Sequence, residues 1–163
     1  MKNNQQGNSV SAPDTIQFLN VVEFHDTALL SYVNSGIILP AYEAIKQDYG
    51  IIRGEYLLLA CLSHFPVLTA QDVSRLTGRP RNTISRAVNR MLKEGYLKRV
   101  PDPSDGRQAK LSITREGKQL HQKVVKYLID RQEAVLEILD PQERNQLRTI
   151  MRKLARHAAK LRP

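Results

Sequence analysis

Between Thr69 and Thr114 the spacing of apolar residues changes period, and this change limits what the chain can fold into more than any other feature. Val73 and Leu76 mark one side of a short helix that opens at Thr69, with Asp72 at capping-box spacing, and stops at Gly78. A second helix opens at Pro80, which suits a first helical position because no N–H is needed there, and closes at Gly95, a residue suited to a left-handed cap. Two helices joined by so short a turn cross at a large angle. From Tyr96 the period drops to two, and Leu97 to Val100 and Ala109 to Ile113 predict two strands. The loop between them, PDPSDGRQ, is rich in turn formers and too long for a two-residue hairpin, so it projects as a wing.

The outline is a winged helix-turn-helix, and the fold class it predicts is mainly α with a small two-stranded β wing. Residues 69–114 hold ten Lys/Arg against four Asp/Glu, a net +6 of the chain's +9. A phosphate backbone rewards such clustering through counterion release, so the partner expected is double-stranded DNA, with affinity that falls steeply with salt. At 163 residues the chain is long enough for one globular unit. The longest nearly pure apolar run, Tyr56 to Leu62, is far short of a membrane span, and the N-terminus lacks the apolar core of a signal peptide. With a lone Cys61, this points to a cytoplasmic protein with no membrane partner.

Residues 1–14, rich in Asn, Gln and Ser, predict a disordered tail. Apolar residues at helical spacing from Thr15 to Lys46 predict one long helix, bent at Asn34-Ser35-Gly36 or Pro40, within an N-terminal dimerisation segment 15–50. A helix from Arg53 to His64, with Leu57, Leu58, Cys61, Leu62 and Phe65 on its core side, opens a DNA-binding lobe of residues 51–114. Thr114 caps a helix to about Leu139, and Asp140-Pro141-Gln142-Glu143 starts the last one, whose stripe Leu147, Ile150, Met151, Leu154, Ala158 and Leu161 must be covered. Residues 115–163 therefore complete the dimerisation helices, and the expected assembly is a homodimer.

On the second short helix, Ile84, Ala87, Val88 and Met91 fall on one side. Asn82, Ser85, Arg86, Asn89 and Lys93 fall on the other, with Arg90 at the margin and no acid before Glu94. Arg bonds guanine bidentately and Asn does the same to adenine, so Arg81, Asn82, Thr83, Ser85, Arg86, Asn89 and Arg90 form the expected reading set. Thr69, Arg79 and Lys93 are expected on the phosphate backbone. In the wing, Arg107 fits a minor groove, Asp105 is expected to brace Arg99, and Lys110 adds charge. An architectural binder without strong sequence preference would use the same charge.

The stretch LTAQDVSRLTGRPRNTISRAVNRMLKEGYLKRVPDPSDGRQAKLSITREGKQL resembles the signature of the MarR family of bacterial regulators. Leu68-Thr69, Val73, Leu76, Ser85-Arg86, Gly95, Arg99, Asp102-Pro103, Asp105, Arg107, Ile113-Thr114 and Gly117 carry the likeness, over about a third of the chain. The resemblance implies a homodimeric repressor on a pseudo-palindromic operator, with a small aromatic or phenolic effector bound between lobe and dimer helices. Pro80, Ser85 and Gly106 depart from the family pattern, where a Ser cap, a Thr and a basic wing residue are common. Pro80 and Ser85 alter the start of the recognition helix and with it the operator read.

Tyr32, Tyr42, Arg53 and Tyr56 are the candidate ligand-lining residues, although tyrosines at helical spacing also serve as core or interface. His25, His64, His121 and His157 are scattered, so no metal or other cofactor is expected. Cys61 reads either as a small buried apolar residue or as a redox switch. No phosphate-cradling loop, nucleophile elbow or paired carboxylate is present, which argues against an enzyme.

Overall fold

The computed structural model describes residues 14–100 and 110–161, and the chain divides into two compact units, residues 1–36 and 37–163. All of the expected tail except Asp14 lies outside the described residues. In the first unit Asp14 caps α1 (Thr15–Val21), its carboxylate accepting from the Ile16 and Gln17 amides at 3.3 Å. Helix α2 (His25–Tyr49) follows and runs on into the second unit.

The single long helix expected from Thr15 is thus two helices, broken not at Asn34–Gly36 or Pro40 but at 22–24. Val22 leaves the helix in an extended conformation, and the Thr27 hydroxyl donates to the Phe24 carbonyl at 2.9 Å as α2 begins. Pro40 sits inside α2. There it has no N–H to give to the carbonyl four residues back, yet the helix runs through.

The second unit holds the C-terminal part of α2, then α3 (Arg53–His64), β1 (Leu68–Thr69), α4 (Ala70–Thr77), α5 (Arg81–Lys93), β2 (Leu97–Val100), β3 (Lys110–Ile113), α6 (Arg115–Leu136) and α7 (Pro141–Lys160). The sheet has three antiparallel strands in the order β1-β3-β2, with Leu68 opposite Leu111 and Leu97 opposite Ile113. The two-stranded expectation missed β1 because two residues are too few to display a period.

Ile45, Leu58, Leu59, Leu62, Val73, Ile84, Met91, Leu111 and Val124 form the heart of the core. Helix α3 packs against α4, α5, α6 and β3, so its buried arc is wider than one stripe and is turned from the expected one. It takes in Glu55, Tyr56 and Leu59, while Leu57 and Cys61 are half-buried and Phe65 is exposed. Leu76, expected inside, is also exposed.

At the root of the wing the backbone is joined in one place. The Tyr96 amide donates to the Met91 carbonyl and the Thr114 amide to the Tyr96 carbonyl, both at 3.0 Å, and the Thr114 hydroxyl donates to the Gly95 carbonyl at 2.8 Å. Thr114 also caps α6, accepting from the Gly117 amide at 3.1 Å. Gly117 lies so close that an added Cβ would collide with the Tyr96 carbonyl oxygen. Helix α6 ends at Leu136, a turn earlier than expected, and the Asp140/Glu143 box starts α7 with Pro141 in the first turn.

Candidate nucleic-acid interface

The turn between α4 and α5 is held from both sides. Gly78 takes a left-handed conformation, φ 65°, and the Ser74 hydroxyl donates to the Arg79 carbonyl at 2.7 Å. Pro80 is the residue before α5 rather than its first residue, and its carbonyl accepts from the Thr83 and Ile84 amides at 3.0 and 3.2 Å. Gly95, φ 74°, ends the helix.

Between these ends the inner face is the one the periodicity predicts: Ile84, Ala87, Val88 and Met91 are all buried. Burial of this face, at roughly 1.5–3 kcal/mol per large side chain, fixes the rotation of α5 and hence which residues face solvent. Arg81, Asn82, Thr83, Arg86, Asn89 and Lys93 are exposed and Ser85 is half-buried. The Asn82 amide oxygen turns back to accept from the Thr83 amide at 2.7 Å, which leaves its NH2 group as the outward donor. The exposed surface is polar and cationic over three turns.

Two of the expected contact residues have partners inside the lobe. Arg90 does not stand with the reading residues: its guanidinium donates to both carboxylate oxygens of Glu55, at 2.8 and 2.9 Å, and to the Gly50 carbonyl at 2.9 Å. The Glu55 side chain is 2% exposed, and its only other hydrogen-bond partner among the described residues is the Ile52 amide at 2.9 Å, so a buried carboxylate holds this arginine. Thr69 is not free for a phosphate either. Its hydroxyl donates to Asp72 at 2.7 Å and accepts from the Asp72 amide at 3.1 Å, while the Asp72 carboxylate takes the Thr69 amide and pairs with Arg75. The hydrogen bonds from Thr69 come first among the causes that hold the Asp72 carboxyl below its usual range.

In the wing, Arg99 is exposed on β2 and Lys110 half-buried on β3. Asp105 and Arg107, with the brace expected between Asp105 and Arg99, lie outside the described residues. Arg79 is half-buried, and its charge reaches Tyr42.

Of the candidate ligand residues, three come together in the second unit. The Tyr42 and Tyr56 rings meet edge to face at 5.8 Å, and the Arg53 guanidinium lies 5.5 Å from the Tyr42 ring centroid. His121, which the sequence shows only as one of four scattered histidines, stacks on Tyr56 at 6.0 Å, and its Nδ1 is buried with no hydrogen-bond partner among the described residues. Burial raises the Tyr42 hydroxyl above its ordinary value, opposed by Arg53 and Arg79, and pushes Tyr56 up to about 12. Tyr32, in the first unit, is exposed. No trio of metal-ligating side chains occurs among the described residues, and no helix among them is long and apolar enough to cross a membrane.

Residues 49–108 match the model of the MarR family. The lobe is a winged helix-turn-helix similar to that of the MarR family. A curated relative, the HTH-type transcriptional regulator YxaD of Bacillus subtilis, whose role is uncharacterised, is 26% identical over 139 residues, covering 85% of this chain and 96% of YxaD. Among solved structures, a mutant MarR from E. coli complexed with operator DNA superposes with a TM-score of 0.70 at 16% identity, covering 87% of this chain and 99% of that one. BpsR of Bordetella bronchiseptica, whose DNA binding is regulated by 6-hydroxynicotinic acid, gives 0.70 at 19%, covering 80% and 98%. At these identities the structural likeness is one of fold. Together with the family match it places this MarR-type chain among DNA-binding transcriptional regulators, not enzymes.

Proposed function

We propose that the chain is a homodimeric, sequence-specific repressor that sets α5 into the major groove of each half of a pseudo-palindromic operator. The observation that carries the reading is the outer face of α5, where Arg81, Asn82, Ser85, Arg86 and Asn89 are presented with no acid among them. Arg86 supplies two donors for guanine, Asn89 a donor and an acceptor for adenine, and Lys93 charge for the backbone. Pairing of two copies is supported by apolar side chains left exposed in α1, α2 and α7, among them Phe18, Leu29, Ile150 and Leu154. A lone chain in water would not leave such faces uncovered.

The cluster of Tyr42, Arg53, Tyr56 and His121 is the proposed effector site. Its rings and its arginine suit a planar aromatic acid of the kind that regulates BpsR, and Arg79, whose charge reaches Tyr42, stands at the turn before α5. A ligand releases DNA only if it binds the incompetent dimer more tightly.

Footprinting on genomic fragments tests the reading. The expected result is a two-fold site with half-sites about one helical turn apart, and a loss of roughly 1–3 kcal/mol for Arg86→Ala at one base position. Protection without sequence preference, or an operator affinity indifferent to Arg86→Ala, refutes it and leaves the architectural alternative.

A further inference from the structure

Helix α7 carries six Lys/Arg, namely Arg144, Arg148, Arg152, Lys153, Arg156 and Lys160, against the single acid Glu143. Its net +5 nearly equals that of residues 69–114 in less than half the length. None of its residues is buried. Arg144 is held by Glu133 and the Leu139 carbonyl, and Arg148 donates to Asn145 at 3.5 Å and adds its charge to the field on Glu133. Arg152, Lys153, Arg156 and Lys160 have no acidic partner among the described residues.

The spacing makes this more than a solvated surface. Arg144, Arg148, Arg152, Arg156 and Lys160 follow one another at every fourth residue, so each is a helical neighbour of a like charge. Such pairs destabilise a helix, and surface helices ordinarily set acids in these places. A rod of negative charge laid along the ladder turns the repulsion into attraction.

Direction separates the classes of polyanion. On a 3.6-residue helix, Arg152, Arg156 and Lys160 point roughly 130–170° away from the mean of the stripe Leu147, Ile150, Met151, Leu154, Ala158 and Leu161. A helix lying on an anionic membrane sinks its apolar face and flanks it with cations, whereas here the cations would point back into water. An apolar face closed by a second copy leaves the cationic face outward and whole.

We infer that the outward face of α7, through Arg152, Lys153, Arg156 and Lys160, is a second binding surface for the phosphate backbone of duplex DNA, independent of sequence and additional to the winged lobe. The inference rests on the DNA-binding, dimeric reading above. The phosphates come from the flanks of the operator duplex or from a second duplex, which the dimer would then bridge.

The test compares the full chain with R152Q/K153Q/R156Q. Duplexes are a minimal operator, the operator with long random flanks, and a labelled random duplex offered to the immobilised operator complex, each over a salt series. The minimal operator is expected to bind both proteins alike. The flanked duplex is expected to bind the wild type more tightly, with a log affinity against log salt slope shallower in the variant by about 0.9 for each lost contact. If the source is a second duplex, the wild-type complex captures the random duplex and the variant does not. R152K/R156K keeps the charge and is expected to behave as wild type, and melting of all proteins checks folding. Equal behaviour of wild type and variant in both the flank and the capture arms overturns the inference. So does capture by anionic lipid vesicles that only the variant loses while DNA binding is unchanged. Failure of the underlying reading shows separately, as indifference of the minimal operator to Arg86→Ala.

Discussion

Replacing Arg90 by methionine isolates the tie between the recognition helix and the rest of the lobe. The substitution keeps much of the aliphatic stem but strips the Glu55 carboxylate of both its guanidinium contacts, leaving the Ile52 amide as its remaining partner among the described residues. Removing one member of a buried pair costs about 3–5 kcal/mol. Because the arginine side chain is 43% exposed, water reaches the site from one flank and the lower figure of about 3 kcal/mol applies. For a chain of this size that is a fall in Tm of about 6–12 °C. Glu55→Gln removes the buried charge with little change of shape, and the half-exposed Arg90 turns to water, so about 1–2 kcal/mol is expected. The double variant should then lie near Glu55→Gln alone, a coupling of about 3 kcal/mol, the full cost of Arg90→Met. Urea unfolding followed by far-UV circular dichroism measures all four proteins, at one protomer concentration because assembly shifts apparent stability. Single costs that add to within about 0.5 kcal/mol would show that the two side chains do not depend on one another.

At Gly117 a methyl group would strike the Tyr96 carbonyl and sit 2.8 Å from Ile113 Cγ1, so Gly117→Ala is expected to cost about 3 kcal/mol or more, whereas Gly36→Ala, with open space at the same position, should gain about 0.5–1 kcal/mol; calorimetry ranks the two. The partly buried His121 is pushed below its usual 6.5, first by desolvation and then by His64. The unfolded chain therefore takes up the proton first as pH falls, and stability present above 6.5 is lost through the folded-state value; urea midpoints at pH 7.5 and 5.5 should differ less for His121→Phe than for the wild type. Burial raises the Cys61 thiol, so its alkylation at pH 7 should be slower than that of a free thiol and accelerate with added base, and rapid labelling at neutral pH would revive the redox reading.

The recognition helix was legible because its rotation is set by one short apolar stripe, and Ile84, Ala87, Val88 and Met91 are the residues the structure buries. Caps read equally well at Thr69, Thr114 and Asp140, since each needs only a side chain and an amide a few residues away. Arg90 did not, because its partner lies thirty-five residues back in the chain and a buried Glu55 looks like any acid in a first helical turn. The reading of α3 failed for a related reason: a helix enclosed by several elements has no single stripe to find. The break at 22–24 went unseen because Gly36 and Pro40 are stronger local signals, and backbone context silenced them.

The junction at Tyr96 makes α6 a lever whose fulcrum is the end of the recognition helix. One residue receives the Thr114 amide on its carbonyl oxygen and gives its own amide to the Met91 carbonyl in the last turn of α5, with Gly117 pressed against it. A displacement at the far end of this 22-residue helix would therefore be passed first to the end of α5. In the proposed complex, grip on DNA would then be open to adjustment from a distance, without any contact at the reading face.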